Sequence, residues 1–578
     1  MGDIKLSIDK QVVVVPEGTT ILEAAKRVHI KIPTLCNHPD QTVKANCRIC
    51  LVQIAEDQLV TACSTAVSEG MIVDTKSKLV RETQLGVLEL ILANHDQNCL
   101  KCVRNGNCEL QDLCEKFSIS REDIDIVSPM DISVDSIPMD LSNSAIVRDY
   151  SKCIKCNRCV EVCREVQDAS ILAGSFRSTD YTVQPAYGKT LSQTLCTYCG
   201  QCLLVCPVGA IYEKSEIEQV WDAIDDPEIH VVVQVAPAVR VSIGEEFGYA
   251  PGTPVTGKVV AALRRIGFDQ IFDTNFTADL TIIEEGYELI DRITNNKTLP
   301  MITSCSPGWI NYMEGFFPEV IDHVSTCKSP QQMFGALSKT YYADKIGVHP
   351  SKIFTVSIMP CTAKKFEAKR EEMATDGIPD VDAVLTTREL AKFIKTVGID
   401  FNNIKDEKFD DPFGISTGAA IIFGATGGVA EAALRTVYEV ITKEELKELD
   451  FYDVRGLEGI KEATVKIGDL EAKVAVANGL KNARKLIEEV KKGTSSYHFI
   501  EIMSCPGGCI GGGGQPINTD KCIRDQRICG IYYLDKNMPI RKSHENPYIK
   551  KIYDEFLGEP NSHIAHKLLH THYAPRQI

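Results

Sequence analysis

The spacing of apolar and polar positions changes along the chain and marks several segments. Up to about Ser77, β-branched and polar residues alternate in KLSID and QVVVVPEG, and ILEAAKRV then has helical periodicity. From Lys78 to about Ile126, the helical pattern LVRETQLGVLELILANH leads into a cysteine-rich loop. From about Ser128 to Glu216, a compact segment contains two further cysteine runs. The pattern predicts a small β-rich domain with one helix, followed by two cysteine-rich units.

Beyond Val220, patterns typical of buried strands alternate with patterns typical of amphipathic helices. The strand-like segments are IHVVVQVAP, LPMITSC, KIFTVSIMPC and YHFIEIMSC, and the helix-like segments include KVVAALRRIG and ELAKFIKTVG. This alternation predicts an α/β domain built mainly on parallel sheet. The tail from KSHENPYIKKIYDEFLGEP onward is predicted to be helical, with a histidine-rich end.

Composition and charge narrow the class of protein. The chain has 578 residues, of which 44% are hydrophobic and 25% charged, as in ordinary multidomain globular proteins. Its formal net charge of −16 disfavours nucleic acid or an anionic membrane as a partner. No apolar run reaches the roughly 18 residues of a spanning helix, and MGDIKLSIDK lacks the apolar core of an export signal. We expect a cytoplasmic protein without a membrane span.

The 23 cysteines crowd into short-spaced groups, which indicates metal binding in a reducing compartment rather than disulfides. Two groups follow the spacing C-x2-C-x2-C-x3-C of bacterial two-cluster ferredoxins, in which the fourth cysteine of each run binds the other cluster. One 4Fe–4S cluster is therefore expected on Cys153, Cys156, Cys159 and Cys206, and another on Cys163, Cys196, Cys199 and Cys202.

Two further groups precede these runs. A 2Fe–2S centre is expected on Cys36, Cys47, Cys50 and Cys63, with a structural zinc site as the alternative. A 4Fe–4S cluster with one imidazole is expected on His95, Cys99, Cys102 and Cys108, whereas His95 alone would more often be a surface or capping residue. Cys114 lies nearby but would be a fifth ligand for a cluster that takes four, and it is interpreted as structural. Both groups resemble, in order, the N-terminal modules of the large electron-input subunit of respiratory complex I.

Three cysteine motifs in the α/β region each follow a predicted strand: LPMITSCSPGW, FTVSIMPCTAKKFE and FIEIMSCPGGCIGGGG. Because reactive crevices lie at the carboxyl ends of strands in such folds, the motifs are expected to converge on one site. Cys361, Cys505 and Cys509 would be cluster ligands there. The glycines at 507, 508 and 511–514 would let the backbone approach a bulky inorganic group.

These three motifs resemble the signatures of iron-only (FeFe) hydrogenases, and the preceding modules match large multi-cluster members of that family. The resemblance implies a β-grasp 2Fe–2S ferredoxin-like domain (1–77), a 4Fe–4S domain with one histidine and three cysteine ligands (78–126), a two-cluster ferredoxin domain (127–216), an α/β catalytic domain (217–515) and a C-terminal helical segment that completes it (516–578). It also implies three accessory 4Fe–4S clusters, one 2Fe–2S centre and an H-cluster. The H-cluster is a 4Fe–4S cubane joined through a thiolate to a two-iron centre with CO, cyanide and a dithiolate amine bridge.

The resemblance assigns roles to individual residues. Cys509 would bridge the two parts of the H-cluster, and Lys364 would contact a cyanide. The residues expected around the two-iron centre are Met359, Met503, Pro237, Ala238, Gln331 and Phe423. The residues expected to carry protons are Cys305, Glu285, Ser325, Glu288 and Arg292. Glu285, Glu288 and Arg292 are spaced three and four apart and so share a helical face, for which an ordinary surface Glu–Arg pair is the alternative.

One position departs from the family pattern. The first family signature has two adjacent cysteines, where this chain has Cys305–Ser306. Three alternatives stay open: Ser306 binds iron through oxygen, Cys305 becomes the fourth ligand, or the cubane has only three thiolates. The Cys–Ser form is similar to hydrogenase subunits of NAD-linked, multi-subunit enzymes.

The favoured function is reversible oxidation of H2 to protons and electrons. The chain has no flavin or nucleotide fingerprint, so the expected partners are ferredoxin, a flavin- and NAD(P)-binding subunit, a small 2Fe–2S subunit and H-cluster maturation proteins, with electron bifurcation as one mode of use. A complex I-like relay subunit is a second hypothesis, but it leaves the three late motifs without a function. A hydrogen sensor or an iron–sulfur assembly factor is a third, supported only by Ser306.

Overall fold

The structure, a computed structural model, describes residues 2–119, 138–468, 470–517 and 519–576, so the expected boundary after residue 126 lies outside the described residues. The strands are Asp3–Ile8, Gln11–Pro16, Leu51–Ala55, Gln58–Thr61, Ile72–Val73, Ile146–Arg148, Leu172–Ser175, Thr182–Pro185, Ile211–Glu213, His230–Val235, Gln270–Asp273, Met301–Ile302, Ile353–Met359, Ala374–Thr375, Ile378–Pro379, Ala383–Thr386, Ile460–Ile467, Leu470–Asn478 and Phe499–Met503. The α-helices are Ile21–Arg27, Lys78–Leu92, Glu109–Phe117, Arg158–Glu165, Gln201–Leu204, Ile217–Asp225, Thr256–Ile266, Thr274–Thr294, Pro307–Phe316, Pro330–Leu337, Ala343–Ile346, Ala363–Glu367, Thr387–Val397, Gly418–Ile421, Gly428–Thr442, Leu480–Lys491, Lys521–Lys536, Pro547–Ile552 and His563–Leu569.

The N-terminal unit is a small sheet covered by one helix. Strand Asp3–Ile8 pairs antiparallel with Gln11–Pro16 and parallel with Ile72–Val73. The predicted alternation is present, because Val13 and Val15 are buried while the neighbouring valines on the opposite face are exposed. Helix Ile21–Arg27 begins with a capping box in which Thr20 and Glu23 bond each other's backbone amide.

The cysteine-rich units share one hydrophobic core. Leu88 and Leu92 of helix Lys78–Leu92 pack with Leu110, with strand residue Ile146 and with Leu203 of the second ferredoxin helix. The cluster-binding loops are therefore held against a common set of apolar side chains.

The catalytic region contains two four-stranded sheets. The first has four parallel strands in the order Gln270–Asp273, His230–Val235, Ile353–Met359, Ala383–Thr386. The second has the order Met301–Ile302, Phe499–Met503, Leu470–Asn478, Ile460–Ile467, with an antiparallel pair at its end. The parallel α/β architecture is as predicted, but the three cysteine motifs follow strands of two different sheets.

The C-terminal segment packs into the catalytic region. Ala565, Leu568 and Leu569 are buried in a core with Phe276 and Phe334. The segment also pairs with the main body, since Thr571 N donates to the carbonyl oxygen of Thr326 at 2.7 Å. Among the described residues, no helix is both long enough and apolar enough to span a membrane.

Candidate active site

An internal cavity lies where strands of the two sheets end. Its wall brings together residues from all three late motifs: Cys305 and Ser306, Met359, Cys361 and Lys364, and Met503, Cys505 and Cys509. Pro237, Gln331 and Phe423 also line it. Ala238 is not among the lining residues; it is buried, and its carbonyl accepts a hydrogen bond from Ser242 Oγ at 2.8 Å, while Ala236 takes the place at the wall. The expected convergence of the motifs is thus present in the fold.

The cysteine thiols that line the cavity are more stable as neutral thiols than as thiolates unless a cation is near. Burial raises the pKa of Cys361, and raises the pKa of Cys509 to about 12, with the Cys361 charge adding to the latter shift. Burial and the charges of Cys361, Cys199 and Cys509 raise the pKa of Cys505. Thiolates crowded in this way need bound metal to balance their charge. The donor set therefore fits an iron–sulfur cluster.

Ser306 and Cys305 have different surroundings. Ser306 Oγ lies 2.8 Å from Ser504 Oγ and accepts a hydrogen bond from Ser504 N at 3.3 Å. The Cys305 thiol has its pKa raised by burial and next by the charge of Glu285. The hydroxyl thus faces donors, whereas the thiol faces an acid.

Lys364 is held by an acid that the sequence reasoning did not single out. Its ammonium lies 2.8 Å from Glu367 Oε2 and 3.2 Å from the Cys305 carbonyl oxygen. Glu367 also accepts hydrogen bonds from Ser329 Oγ at 2.8 Å and Gln331 Nε2 at 3.1 Å. The available signal was the spacing in CTAKKFE, which puts the two charges on one helical face.

The glycine-rich loop needs its glycines for contacts with neighbouring loops. A Cβ at Gly512 would lie 2.2 Å from the Pro360 carbonyl oxygen, and a Cβ at Gly513 would lie 2.2 Å from that of Cys199. Gly508 has φ of +90°, in the region that favours glycine. Gly508 and Gly512 also line the cavity, so the expected close approach of the backbone to an inorganic group stays a prediction beside these loop contacts.

A row of polar side chains leads away from the cavity along helix Thr274–Thr294. Burial raises the pKa of Glu285 to about 8, helped by the charge of Glu288, and its Oε2 atom has no hydrogen-bond partner among the described residues. Ser325 Oγ donates to Glu288 Oε2 at 2.9 Å, and Arg292 bonds Glu288 Oε1 at 2.6 Å. The Glu288 and Arg292 side chains are only 12% and 9% exposed, so they are not an ordinary surface pair.

The row of acids ends at an open cleft. Glu288 and Arg292 line it, together with Tyr287, Thr326 and His566. The inner end of the row is at the cavity, where the Cys305 thiol is close enough for the Glu285 charge to raise its pKa. The fold thus places all five predicted relay residues between the cavity and the solvent.

The ferredoxin-type cysteines surround two small cavities. One is lined by Cys153, Cys156, Cys159 and Cys206, and the other by Cys163, Cys196, Cys199 and Cys202. In each cavity, three cysteines of one run are joined by the fourth cysteine of the other. This is the arrangement that the exchange of fourth ligands requires.

The two N-terminal groups are also assembled. His95, Cys99, Cys102 and Cys108 line one cavity, which Cys114 joins as a fifth residue. Burial lowers the pKa of His95 to about 4, and its Nδ1 atom has no partner in the described part of the chain, so the ring is neutral and free to bind metal. In the first group, the sulfur atoms of Cys50 and Cys63 are 3.4 Å apart. A hydrogen bond from Cys47 lowers the pKa of Cys36.

Comparison with known proteins decides the family. The sequence-family model named iron only hydrogenase large subunit, C-terminal domain, matches residues 229–513, and the family model named iron hydrogenase small subunit matches residues 521–576. The NADP-reducing hydrogenase subunit HndD of Solidesulfovibrio fructosivorans is 50% identical over 590 residues, covering 100% of both chains. Iron hydrogenase 1 of Clostridium pasteurianum is 42% identical, covering 96% of this chain and 97% of its own.

This chain belongs to the iron-only hydrogenase family. It is an FeFe hydrogenase, an enzyme that oxidises H2 and reduces protons. A solved variant of the FeFe-hydrogenase HydA1 from Chlamydomonas reinhardtii has 43% identity and a TM-score of 0.58, and the match covers 63% of this chain and 100% of that one. Models for a 2Fe–2S iron–sulfur cluster binding domain, an NADH-ubiquinone oxidoreductase-G iron–sulfur binding region and a 4Fe–4S dicluster domain match residues 2–78, 84–123 and 152–210. The hydrogenase thus has an H-cluster domain preceded by 2Fe–2S and 4Fe–4S domains.

The accessory domains of the hydrogenase contact each other and the active-site cavity. Cys199 belongs to a ferredoxin cavity and also lines the active-site cavity. Gln201 Nε2 donates to the Gly511 carbonyl oxygen at 2.9 Å, which joins the two sites by hydrogen bonding. On the far side, a Cβ at Gly209 would lie 2.6 Å from Cys102 Sγ, so the His95 site adjoins the other ferredoxin cavity.

The N-terminal unit reaches the same ferredoxin cavity. Gln41 Nε2 donates to the Arg158 carbonyl oxygen at 3.0 Å. Arg158 in turn forms an ion pair with Glu109 at 2.7 Å, next to the His95 site. Both outer sites therefore meet at the helix that carries Cys159.

Proposed function

We propose that Cys361, Cys505 and Cys509 hold the cubane of the H-cluster and that Cys509 is shared with the two-iron centre. The crowded, buried thiols support this assignment, because they need a metal to become thiolates. The accessory ligand sets described above would hold one 2Fe–2S centre and three 4Fe–4S clusters. The five-domain division, with boundaries after residues 77, 126, 216 and 515, is part of the same proposal.

The H-cluster, when bound, supplies an iron that acts as a Lewis acid and an amine that acts as a base. Lys364, held by Glu367, would donate a hydrogen bond to a cyanide. Met359, Met503, Pro237 and Phe423 would keep water from the two-iron centre, and Gln331, with an unpartnered Oε1 among the described residues, could accept a hydrogen bond there.

The proton route would run from the Cys305 thiol to Glu285, then through Ser325 to Glu288 and Arg292. The pKa of Glu285 near 8 lets this carboxyl both accept and release a proton close to neutral pH. Ser325 can pass a proton by rotating its hydroxyl, which already donates to Glu288. Arg292 would hold Glu288 at the inner end of the open cleft.

Electrons would pass between the active site and the accessory clusters, outward during H2 oxidation and inward during proton reduction. Cys199 supports this route, because it lines both a ferredoxin cavity and the catalytic cavity and so puts the two sites next to each other. The His95 and 2Fe–2S sites would then be two separate entrances. Two entrances suit an enzyme that exchanges electrons with two partners.

The partners would be ferredoxin and a flavin- and NAD(P)-binding subunit in the cytoplasm, with a small 2Fe–2S subunit between them. HndD, a relative over the full length, is described as a subunit of an NADP-reducing hydrogenase. Maturation proteins would insert the two-iron centre.

The observation that carries the proposal is that the cavity wall contains both a ferredoxin ligand, Cys199, and the first relay residue, Cys305. The test is anaerobic purification of the tagged chain from its native host, with identification of co-purifying subunits by mass spectrometry. We expect the complex to reduce NADP+ or NAD+ with H2, and the isolated chain to reduce an artificial dye but neither nucleotide. An isolated chain that reduces the nucleotide unaided would contradict the proposed partners.

A further inference from the structure

A cluster of metal-ligating side chains lies beside the outer end of the acid row. Glu288, Cys327 and His570 offer one carboxylate oxygen, one thiol and one imidazole nitrogen within 4.8 Å of one another. Cys327 Sγ lies 3.9 Å from Glu288 Oε2 and 4.0 Å from His570 Nδ1. Cys327 and His570 are buried, and Glu288 faces the open cleft.

We propose that these three residues form a zinc-binding site whose occupation blocks the proton route. Zinc prefers thiolate, imidazole and carboxylate ligands in tetrahedral geometry. With the usual bond lengths, a sulfur and a nitrogen or oxygen ligand lie about 3.5 Å apart, so each of the two pairs that include the Cys327 sulfur needs to close by only about 0.5 Å. The ligand atoms of Glu288 and His570 lie within 4.8 Å of each other. A water molecule from the cleft would complete the tetrahedron.

The surroundings of His570 are those of a metal ligand. Its second ring nitrogen, Nε2, lies 3.1 Å from Glu284 Oε2, and Glu284 is fixed by hydrogen bonds from Tyr553 OH and from Asn561 N. A carboxylate on the far nitrogen orients the ring and sets the tautomer in which Nδ1 has a free lone pair. In the zinc-free protein that lone pair accepts a hydrogen bond from Thr326 Oγ1 at 2.8 Å.

Backbone contacts keep the ligands together although they are far apart in sequence. Cys327 and His570 pair across an isolated β-bridge. Lys328 N donates to the Leu569 carbonyl oxygen at 2.7 Å, on one side of that bridge. The ligand cluster is therefore preformed, which reduces the ordering that zinc binding would require.

The charges also suit a divalent cation. Binding would release one proton from the Cys327 thiol, so that this thiolate, Glu288 and Glu284 carry three negative charges. Arg292, which bonds the other oxygen of Glu288, contributes one positive charge. Zn2+ then brings the local sum to zero. Arg292 bonds Oε1 of Glu288, so zinc would compete at Oε2 with the hydrogen bonds from Ser325 and Thr326.

Zinc would act on catalysis through Glu288, and this consequence rests on the proposed proton route. A carboxylate oxygen bound to zinc no longer accepts a proton from Ser325. Binding itself is independent of that route, so the two can be measured separately.

The binding test uses the cluster-loaded enzyme, freed of loose metal with a chelator and titrated with zinc chloride. Absorption at the zinc edge is distinct from that of iron, so the clusters do not interfere. We expect one zinc per chain with one sulfur at about 2.3 Å and the remaining ligands at about 2.0 Å. Cys327→Ala should remove the sulfur and weaken binding at least about tenfold. Cys522→Ala, which alters an exposed cysteine, should bind zinc as the wild type does.

The functional test compares H2 oxidation with and without zinc in the same variants, so that each is its own reference. Zinc should inhibit the wild type and Cys522→Ala at the concentration at which it binds, and Cys327→Ala and Cys327→Ser only at higher concentrations. Zinc that binds with no sulfur ligand, or equally well to Cys327→Ala, would overturn the site. Zinc that binds as proposed without slowing turnover would support the site and overturn the route through Glu288.

Discussion

Replacing Glu285 by Gln tests the proton route at its most perturbed group. The side chain is 2% exposed, and its pKa of about 8 reflects burial first and the neighbouring Glu288 charge second. With that pKa, about one tenth of the carboxyl is ionised at pH 7 and about half at pH 8. If the ionised form accepts protons during H2 oxidation, the rate should rise about fivefold across that interval.

Glu285→Gln keeps the shape of the side chain but removes its ability to carry a proton. We expect H2 oxidation to fall by about a hundredfold or more, and the remaining rate to lose its rise near pH 8. Rates are measured with an artificial electron acceptor between pH 6 and 9, on preparations with equal iron content. In the difference between the infrared spectra of the wild type and the variant, the carbonyl band of the protonated Glu285 carboxyl should be present at pH 7 and diminish above pH 8.

Asp279→Asn is the matched control. Asp279 is buried on the same helix with its pKa raised by burial to about 7, but it accepts hydrogen bonds from Thr417 and Asn546 and does not line the cavity. This variant should retain most of the activity. Full activity with an unchanged pH profile in Glu285→Gln would refute the assigned route.

The same pKa predicts a dependence of stability on pH. The folded pKa of Glu285 lies above the ordinary value of 4.5, so folding favours the protonated form. That contribution is complete below pH 4.5 and is lost as pH rises through about 8. The stability of Glu285→Gln minus that of the wild type should therefore be more favourable at pH 9 than at pH 5. Thermal unfolding of both proteins at both pH values would check this.

Other substitutions test the remaining assignments. Cys305→Ala should leave the clusters assembled and lower turnover by about a hundredfold or more; a changed EPR signal of the cubane would instead make Cys305 a ligand. His95→Cys should keep its cluster at a lower potential and His95→Ala should lose or open it; redox titrations followed by EPR that match the wild type in both would exclude His95 as a ligand. Gly513→Ala should destabilise the enzyme by about 1–3 kcal/mol because its Cβ would overlap the Cys199 carbonyl. Gly86→Ala, within a helix and with open space around its Cβ, should not; equal melting temperatures for the two variants would count against the tight loop contact.

The sequence predicted best where chemistry and local spacing act together. The ferredoxin runs are recognisable because each holds three ligands within a few residues, and the fold does bring Cys206 and Cys163 to the opposite clusters. The strands that precede the three late cysteine motifs were recognisable for the same reason, because each strand pattern and its cysteine lie within a few residues of each other. The hairpin of Ile460–Ile467 and Leu470–Asn478 was not assigned, and without it the region looks like a single sheet. The sheet to which a strand belongs depends on the strands with which it pairs, and the local sequence pattern does not contain that information.

Residues that support the site from other elements were missed for a related reason. Ser504 acts through a hydrogen bond to the distant Ser306, and Glu367, besides its helix neighbour Lys364, accepts hydrogen bonds from Ser329 and Gln331, whose positions only the folded chain defines. His570 is more extreme, since it lies 243 residues from the thiol of Cys327 that it approaches. A histidine in a helical tail carries no sequence signal of that contact, because a β-bridge between distant segments creates it.

The surroundings of Ser306 bear on the alternatives for the fourth cubane ligand. An oxygen bound to iron would be anionic and would need hydrogen-bond donors. Ser504 offers two, its backbone amide and its hydroxyl, and both already lie within 3.3 Å of Ser306 Oγ. Cys305, by contrast, has the Glu285 carboxyl nearby, a group that can exchange a proton with its thiol. Donors beside the Ser306 oxygen suit an iron ligand, and an acid beside the Cys305 thiol suits proton transfer, so these contacts favour Ser306 as the ligand and Cys305 as the first relay residue.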